Sequence, residues 1–222
     1  HRDLHSFPTR RSSDLFRLFE QTMAFLKKSW SQEFVDHDGE FFTYPEPGFT
    51  WNHAESPKSA IFMNMETNEL EKLAIVPRPL QQPHPPLWQV DDGPGSIQWA
   101  AENGLGAMMW IPTVESLKWR FEMYREKASE AQGKDVPLGE GVALVRDMFC
   151  AETMEDAKID GGEGILSYLR WVCHFRGLGN HMDPGEELPE TPGKLDLLSY
   201  DWLHPRNLLF GTPDYIAERI EE

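Results

Sequence analysis

No stretch of about 18 consecutive apolar residues occurs in the chain, so the sequence offers no membrane-spanning helix. Cysteine is scarce. Cys150 and Cys173 are the only two, and they make neither a C-x-x-C pair nor a metal-ligand spacing. A disulfide framework and a thiolate metal centre are therefore not expected, and a reducing cytoplasm is the simplest compartment. Positive charge is also short, with 21 Lys and Arg against 37 Asp and Glu, a net −16. Such a surface repels nucleic acid and anionic lipid. Metal chemistry finds little support, since His174, His181 and Asp183 match no helical ligand pair and have no evident fourth ligand.

What remains is a chain of 222 residues with an ordinary apolar fraction, enough for one sizeable domain with its own core. Its first part needs separating. His5–Leu15, HSFPTRRSSDL, resembles the conceptual translation of a sequencing-library adapter. Residues 1–15 are expected to be a non-native leader, with the domain proper at 16–222. The leader carries three arginines and two aspartates, so the rest stands at −17.

The organising stretch runs from Pro79 to Trp110. Leu87–Val90 is a short apolar run after a proline-rich approach and reads as a buried strand. Asp91-Asp92-Gly93-Pro94-Gly95 is turn chemistry, with glycines able to take positive φ. Ser96 is suited to cap a helix over Ile97–Asn103, and Asn103-Gly104 to end it. Gly106–Trp110 is a second strand. Strand, short helix and strand make a βαβ unit with parallel pairing. A glycine-rich turn at a helix N-terminus offers unsatisfied N–H groups and the positive end of the helix dipole, which suits a phosphate. Many βα turns of this form hold nothing, so spacing alone leaves both readings open.

Phe16–Phe34 has the apolar stripe of a helix. EFFTY (40–44) and Leu73–Val76 are strand candidates that could pair with each other. A helix capped by Thr113 carries Val114, Leu117, Phe121, Tyr124 and Ala128 on one face, with Gly133 past its end. Val142–Cys150 reads as a nearly continuous buried strand interrupted at Arg146 and Asp147. Arg146 could point inward to Asp147 or a substrate, or be an ordinary charge near a strand end. A short helix from Thr153 and a longer one over Gly164–Arg176 follow. Gly177–Asp201 reads as a polar excursion, and Pro213–Glu221 as a last helix with Thr212 as N-cap and Pro213 at its first position. Alternating strands and helices with parallel pairing define an α/β fold. Only three or four barrel-type strands are present where a (β/α)₈ barrel has eight, and the chain reads as a piece of a longer protein.

Three segments, PRPLQQPHPPLW, DDGPGSIQWAAENGLG and LLFGTPDYIAERI, resemble the flavin-dependent bacterial luciferase-like monooxygenases, the luciferase α-subunit included. The resemblance implies a (β/α)₈ TIM barrel that is incomplete here, lacking its first strands and its closing strand. It implies reduced FMN as cofactor, with the phosphate held at Asp92, Gly93, Gly95 and Ser96 and with Trp110 near the ring system. The family's active-site histidine, reactive cysteine and phosphate-gripping arginine belong to strands absent here, so no catalytic residue is assigned and the piece alone is expected to be inactive.

The implied activity is oxygenation of an organic substrate with O₂, the cofactor being delivered by a separate flavin reductase and the complete protein forming a homo- or heterodimer. One alternative keeps the fold but uses a deazaflavin for hydride transfer. Another is a non-catalytic flavin-binding or subunit-partner protein.

Overall fold

The computed structural model describes residues 12–91, 93–187 and 193–221. They divide into two units, one up to Pro85 and one from Pro86.

In the first unit, helix α1 (Ser12–Ser31) covers the segment with the expected apolar stripe and begins earlier than Phe16. Phe25 packs at 5.6 Å from Phe42 and 5.1 Å from Tyr44. Phe42 precedes and Tyr44 ends β2 (Thr43–Tyr44), which pairs antiparallel with β1 (His37–Asp38). The expected pairing of EFFTY with Leu73–Val76 does not form. The tight turn at Gly39 folds the aromatic segment back on His37, and Leu73 bridges Val35 instead.

The second unit is built on parallel strands. Strand β3 (Trp88–Val90) pairs with β4 (Gly106–Trp110), and β4 with β5 (Val142–Val145). Strand β6 (Asp147–Cys150) pairs with β7 (Leu208–Gly211). The strand expected over Val142–Cys150 thus splits at Arg146, its first half bound to β4 and its second to β7. Trp88 sits opposite Gly106, and a Cβ at Gly106 would run into the indole ring.

Helix α2 (Pro94–Glu102) joins β3 to β4, and α3 (Val114–Gln132) joins β4 to β5. The cluster they cover contains Ile97, Ala101, Ala107, Met109, Tyr124 and Ala128, all buried. Removing each large apolar side chain from water supplies roughly 1.5–3 kcal/mol. The α3 boundaries are those the sequence predicts: Thr113 Oγ1 accepts from Ser116 N at 3.3 Å, and Gly133 takes φ +64° past the C-terminus.

Helix α4 (Met154–Arg176) is one continuous helix rather than the two expected pieces, with Thr153 as its N-cap. Gly161 and Gly162, which lie between the two expected pieces, are packing contacts. A Cβ on Gly161 would lie 2.9 Å from the Phe210 ring and 3.0 Å from that of Phe149. The second cluster gathers Leu166, Leu169 and Cys173 of α4 with Leu203, Leu208 and Phe210. An unpredicted helix, α5 (Tyr200–Asn207), capped by Ser199, begins at the end of the polar excursion. The last helix, α6 (Pro213–Glu221), matches its predicted span.

Candidate functional site

The β3–α2 turn is shaped by its backbone. Asp91 N–H donates to Met108 O at 2.9 Å and so continues the β3–β4 ladder to the strand end. Asp91 is 1% exposed, and its carboxylate receives Gln89 Nε2 at 2.8 Å. The chain then turns into α2 with Gly93 as N-cap and Pro94 at the first helical position. Proline belongs there because its missing N–H would have no intrahelical acceptor anyway. The helix therefore begins three residues before the predicted Ile97. Ser96 is not its N-cap: its hydroxyl donates back to Gly93 O at 2.9 Å and lies 3.4 Å from Gly93 N.

The expected left-handed glycines are also corrected. Gly93 is extended at φ −141°, and Gly95 lies within the helix. What both provide is room, since a Cβ on either would meet nothing within 4 Å. The N–H groups of Gly95 and Ser96 belong to the first turn and have no acceptors inside the helix. The turn thus combines open space, first-turn donors, a hydroxyl and a helix N-terminus, the requirements for contact with an oxyanion. Behind it, Ile97, Ala100 and Ala101 are buried to 1% exposure or less and fix the helix on the sheet. Asp92, the fourth predicted contact, lies outside the described residues.

Trp110 ends β4, two residues beyond the partner of Val90, so it shares the C-terminal edge of the β3–β4 pair with the turn. Its ring is taken up by α4. The Arg176 guanidinium lies 5.4 Å from the ring centroid, and Tyr168 meets it edge-on at 6.3 Å. Trp110, Cys173 and His181 line a cavity of about 270 Å³.

His181 has a role its sequence neighbours do not announce. It is 2% exposed. Burial holds its imidazole down at about 4 from the ordinary 6.5, with the charge of Arg146 adding to the effect. Asn207 Nδ2 lies 2.8 Å from His181 Nδ1 and donates to Ile111 O at 3.0 Å. Ile111 takes φ +46°, a strained value for a β-branched residue. A buried amide bonded to both groups holds that turn. No sequence spacing announces it, because the partners are contributed by separate elements. Asp183, the other loop residue weighed, pairs with Arg206 at 3.3 Å. Cys173 is buried, its thiol pushed up to about 11 by burial, which keeps it protonated and unreactive near neutrality.

Parallel strands joined by helices make the second unit an α/β fold. The profile of the luciferase-like monooxygenases matches residues 11–222, and the chain belongs to that family. The chain is 24% identical over 205 residues to the oxygenase component of the flavin-dependent trigonelline monooxygenase of Acinetobacter baylyi, covering 88% of this chain and 47% of that protein. It is 25% identical over 224 residues to an FMNH₂-dependent dimethylsulfone monooxygenase of Pseudomonas putida, covering 96% and 51%. The oxygenating constituent of 3,6-diketocamphane monooxygenase from Pseudomonas putida, solved with FMN, shares the fold with a TM-score of 0.60 at 21% identity, over 96% of this chain and 53% of its own. The monooxygenase RslO1 of Streptomyces bottropensis gives a TM-score of 0.59 at 20% identity, over 95% and 51%. The chain therefore spans about half the length of the relatives it matches. Its fold is that of the luciferase-like α/β barrel in part.

Proposed function

We propose that this chain is the flavin-phosphate-binding portion of a two-component, FMN-dependent monooxygenase. The observation that carries the reading is the β3–α2 turn. Gly93 and Gly95 leave a space that side chains would fill, and α2 aims its first-turn N–H groups into it. Ser96 adds a hydroxyl already turned toward the turn. The names of the relatives supply the cofactor: two are flavin- or FMNH₂-dependent monooxygenases, and one was solved with FMN. Asp92, Gly93, Gly95 and Ser96 would hold the phosphate, and Trp110 would stand at the same strand edge.

Bound reduced flavin would supply the activation of O₂. The chain's own part is to fix the cofactor by its anionic end through preorganised amides that need no rearrangement. The Cys173 thiol, buried and protonated, is no nucleophile here. The oxygenase component named among the relatives makes a separate reductase the expected source of reduced flavin. The substrate is a small organic molecule, and a cytoplasmic location fits that supply. Among the described residues no helix is long and apolar enough to cross a membrane.

Gly93→Glu tests the reading. It adds a carboxylate where the phosphate would sit, while the extended backbone at φ −141° accepts any residue and the added Cβ meets nothing. Titration with reduced FMN under anaerobic conditions should show binding weakened at least tenfold, with the melting temperature held within a few degrees. Unchanged affinity would remove the turn from the site. Oxygen consumption on turnover separates this reading from hydride transfer with a deazaflavin.

A further inference from the structure

His181 is 2% exposed and lines the cavity of about 270 Å³ that Trp110 and Cys173 also line. Its neighbours settle which ring nitrogen carries the proton. Asn207 Nδ2 lies 3.0 Å from Ile111 O. A carbonyl only accepts, so the amide presents its NH₂ there and cannot be turned over. The same NH₂ faces His181 Nδ1 at 2.8 Å, and Nδ1 must then accept. The proton of the neutral ring is left on Nε2. Burial keeps the imidazole down at about 4, so the neutral ring is the form present near neutrality.

Nε2 is the unused atom of this arrangement. It has no hydrogen-bond partner among the described residues. The polar atoms that are both unpartnered and closed off from solvent include Asn207 Oδ1 but not this nitrogen. Nε2 therefore keeps access to the one cavity that His181 lines, and it offers there a donor of fixed direction and no charge.

That cavity adjoins a second of about 480 Å³, and Trp110, Val172 and Arg176 are walls of both. The remaining walls of the second are aromatic. Tyr168, Trp171 and Phe175 recur at helical spacing on one side of α4 and are 45%, 66% and 74% exposed. Rings gathered on a surface in this way mark a binding site. Arg176 is the charged side chain among these walls, and it is exposed, so its charge is hydrated. The smaller cavity alone falls short of the roughly 300–1,000 Å³ typical of a small-molecule site, and its neighbour brings the space into that range.

We propose that the joined cavities bind an uncharged aromatic carbonyl compound, its ring among Trp110 and the aromatic side chains of α4 and its carbonyl oxygen accepting from His181 Nε2. A carbonyl accepts near its own plane, so a conjugated ring can lie flat on the walls while its oxygen meets the donor. A carboxylate would bring a charge to a neutral imidazole and a protonated thiol, which do not offset it. The site is independent of the flavin reading, because the β3–α2 turn supplies none of its walls.

Calorimetric titration of the purified, flavin-free protein with acetophenone and with α-methylstyrene, which replaces the carbonyl oxygen by a methylene of similar shape, tests the proposal. Acetophenone should bind about fivefold more tightly or better, the effect of one hydrogen bond to a buried donor. His181→Phe should remove that preference, whereas Trp171→Ala should weaken both ligands and keep it. Heteronuclear NMR of the unaltered protein needs no substitution to fold. The His181 ring should show the Nε2–H tautomer, and its signal should shift with acetophenone but not with α-methylstyrene. Equal affinity for the two ligands, no binding, tighter binding of benzoate than of acetophenone, or a proton on Nδ1 would overturn the proposal. Displacement of acetophenone by lumiflavin would also overturn it, by giving the space to the cofactor ring. None of these outcomes touches the reduced-FMN titration of Gly93→Glu, so the two readings fall separately.

Discussion

His181 shows how far a residue's role can lie from what its sequence neighbours suggest. Flanked by glycine, asparagine and aspartate in a polar excursion, it reads as a solvated side chain. The fold instead seals it beneath α5 beside Asn207. Its depressed pKa has a definite sign. The unfolded chain takes up the proton near the ordinary 6.5, while the native state resists until about 4. The stabilising contribution is therefore complete above pH ~6.5 and is lost progressively as pH falls toward 4. Denaturant melts between those limits should show stability falling with acidity, and His181→Gln should flatten the dependence above pH 5. An unaltered slope would mean that another group carries it. The turn glycines were legible by position but not by mechanism. Sequence marks Gly93 and Gly95 as special, yet neither uses left-handed φ, and their value is the volume they leave open.

At the scale of elements, α3 and α6 were readable because their boundaries rest on local chemistry: Thr113, Gly133, Thr212 and Pro213 act within a turn of themselves. The α4 helix was not, because glycine carries opposite meanings in isolation and in contact. Gly161 and Gly164 make the distinction measurable. Replacing a helical glycine by alanine ordinarily adds about 0.5–1 kcal/mol. Gly164→Ala, with nothing within 4 Å of the new Cβ, should show that gain. Gly161→Ala should instead cost about 1–3 kcal/mol, the range for overpacking, because its Cβ would meet the Phe210 and Phe149 rings. Urea melts of the pair should move the midpoint in opposite directions. The break at Arg146 was visible as a charged interruption, but the switch of partner from β4 to β7 follows from long-range pairing that no local window contains.

For the whole molecule, the acidic excess is the property that composition alone fixes. A net −16 on 222 residues repels itself in the compact state. Raising monovalent salt from ~0.01 to ~0.15 M shortens the screening length from about 30 to about 8 Å. The melting temperature should rise over that range, and a flat response would place the charges in compensating networks. The α/β class and the family were legible because both the strand–helix alternation and the turn motif are local patterns. The contact of Asn207 with His181 and Ile111 was not, since its partners lie 26 and 96 residues away along the chain.

Trp88 lying against Gly106 couples two positions that are 18 apart in sequence but adjacent across β3 and β4. Bulk added at Gly106 requires the half-exposed indole of Trp88 to turn away, so the two positions are coupled across the strands. Gly106→Ala alone should be strongly destabilising, and adding Trp88→Leu should restore part of the loss, a coupling that a double-mutant cycle reads directly. Divergent evolution at this spot would then have to proceed by paired exchange, leaving a large-and-small signature across the strands even where neither residue survives.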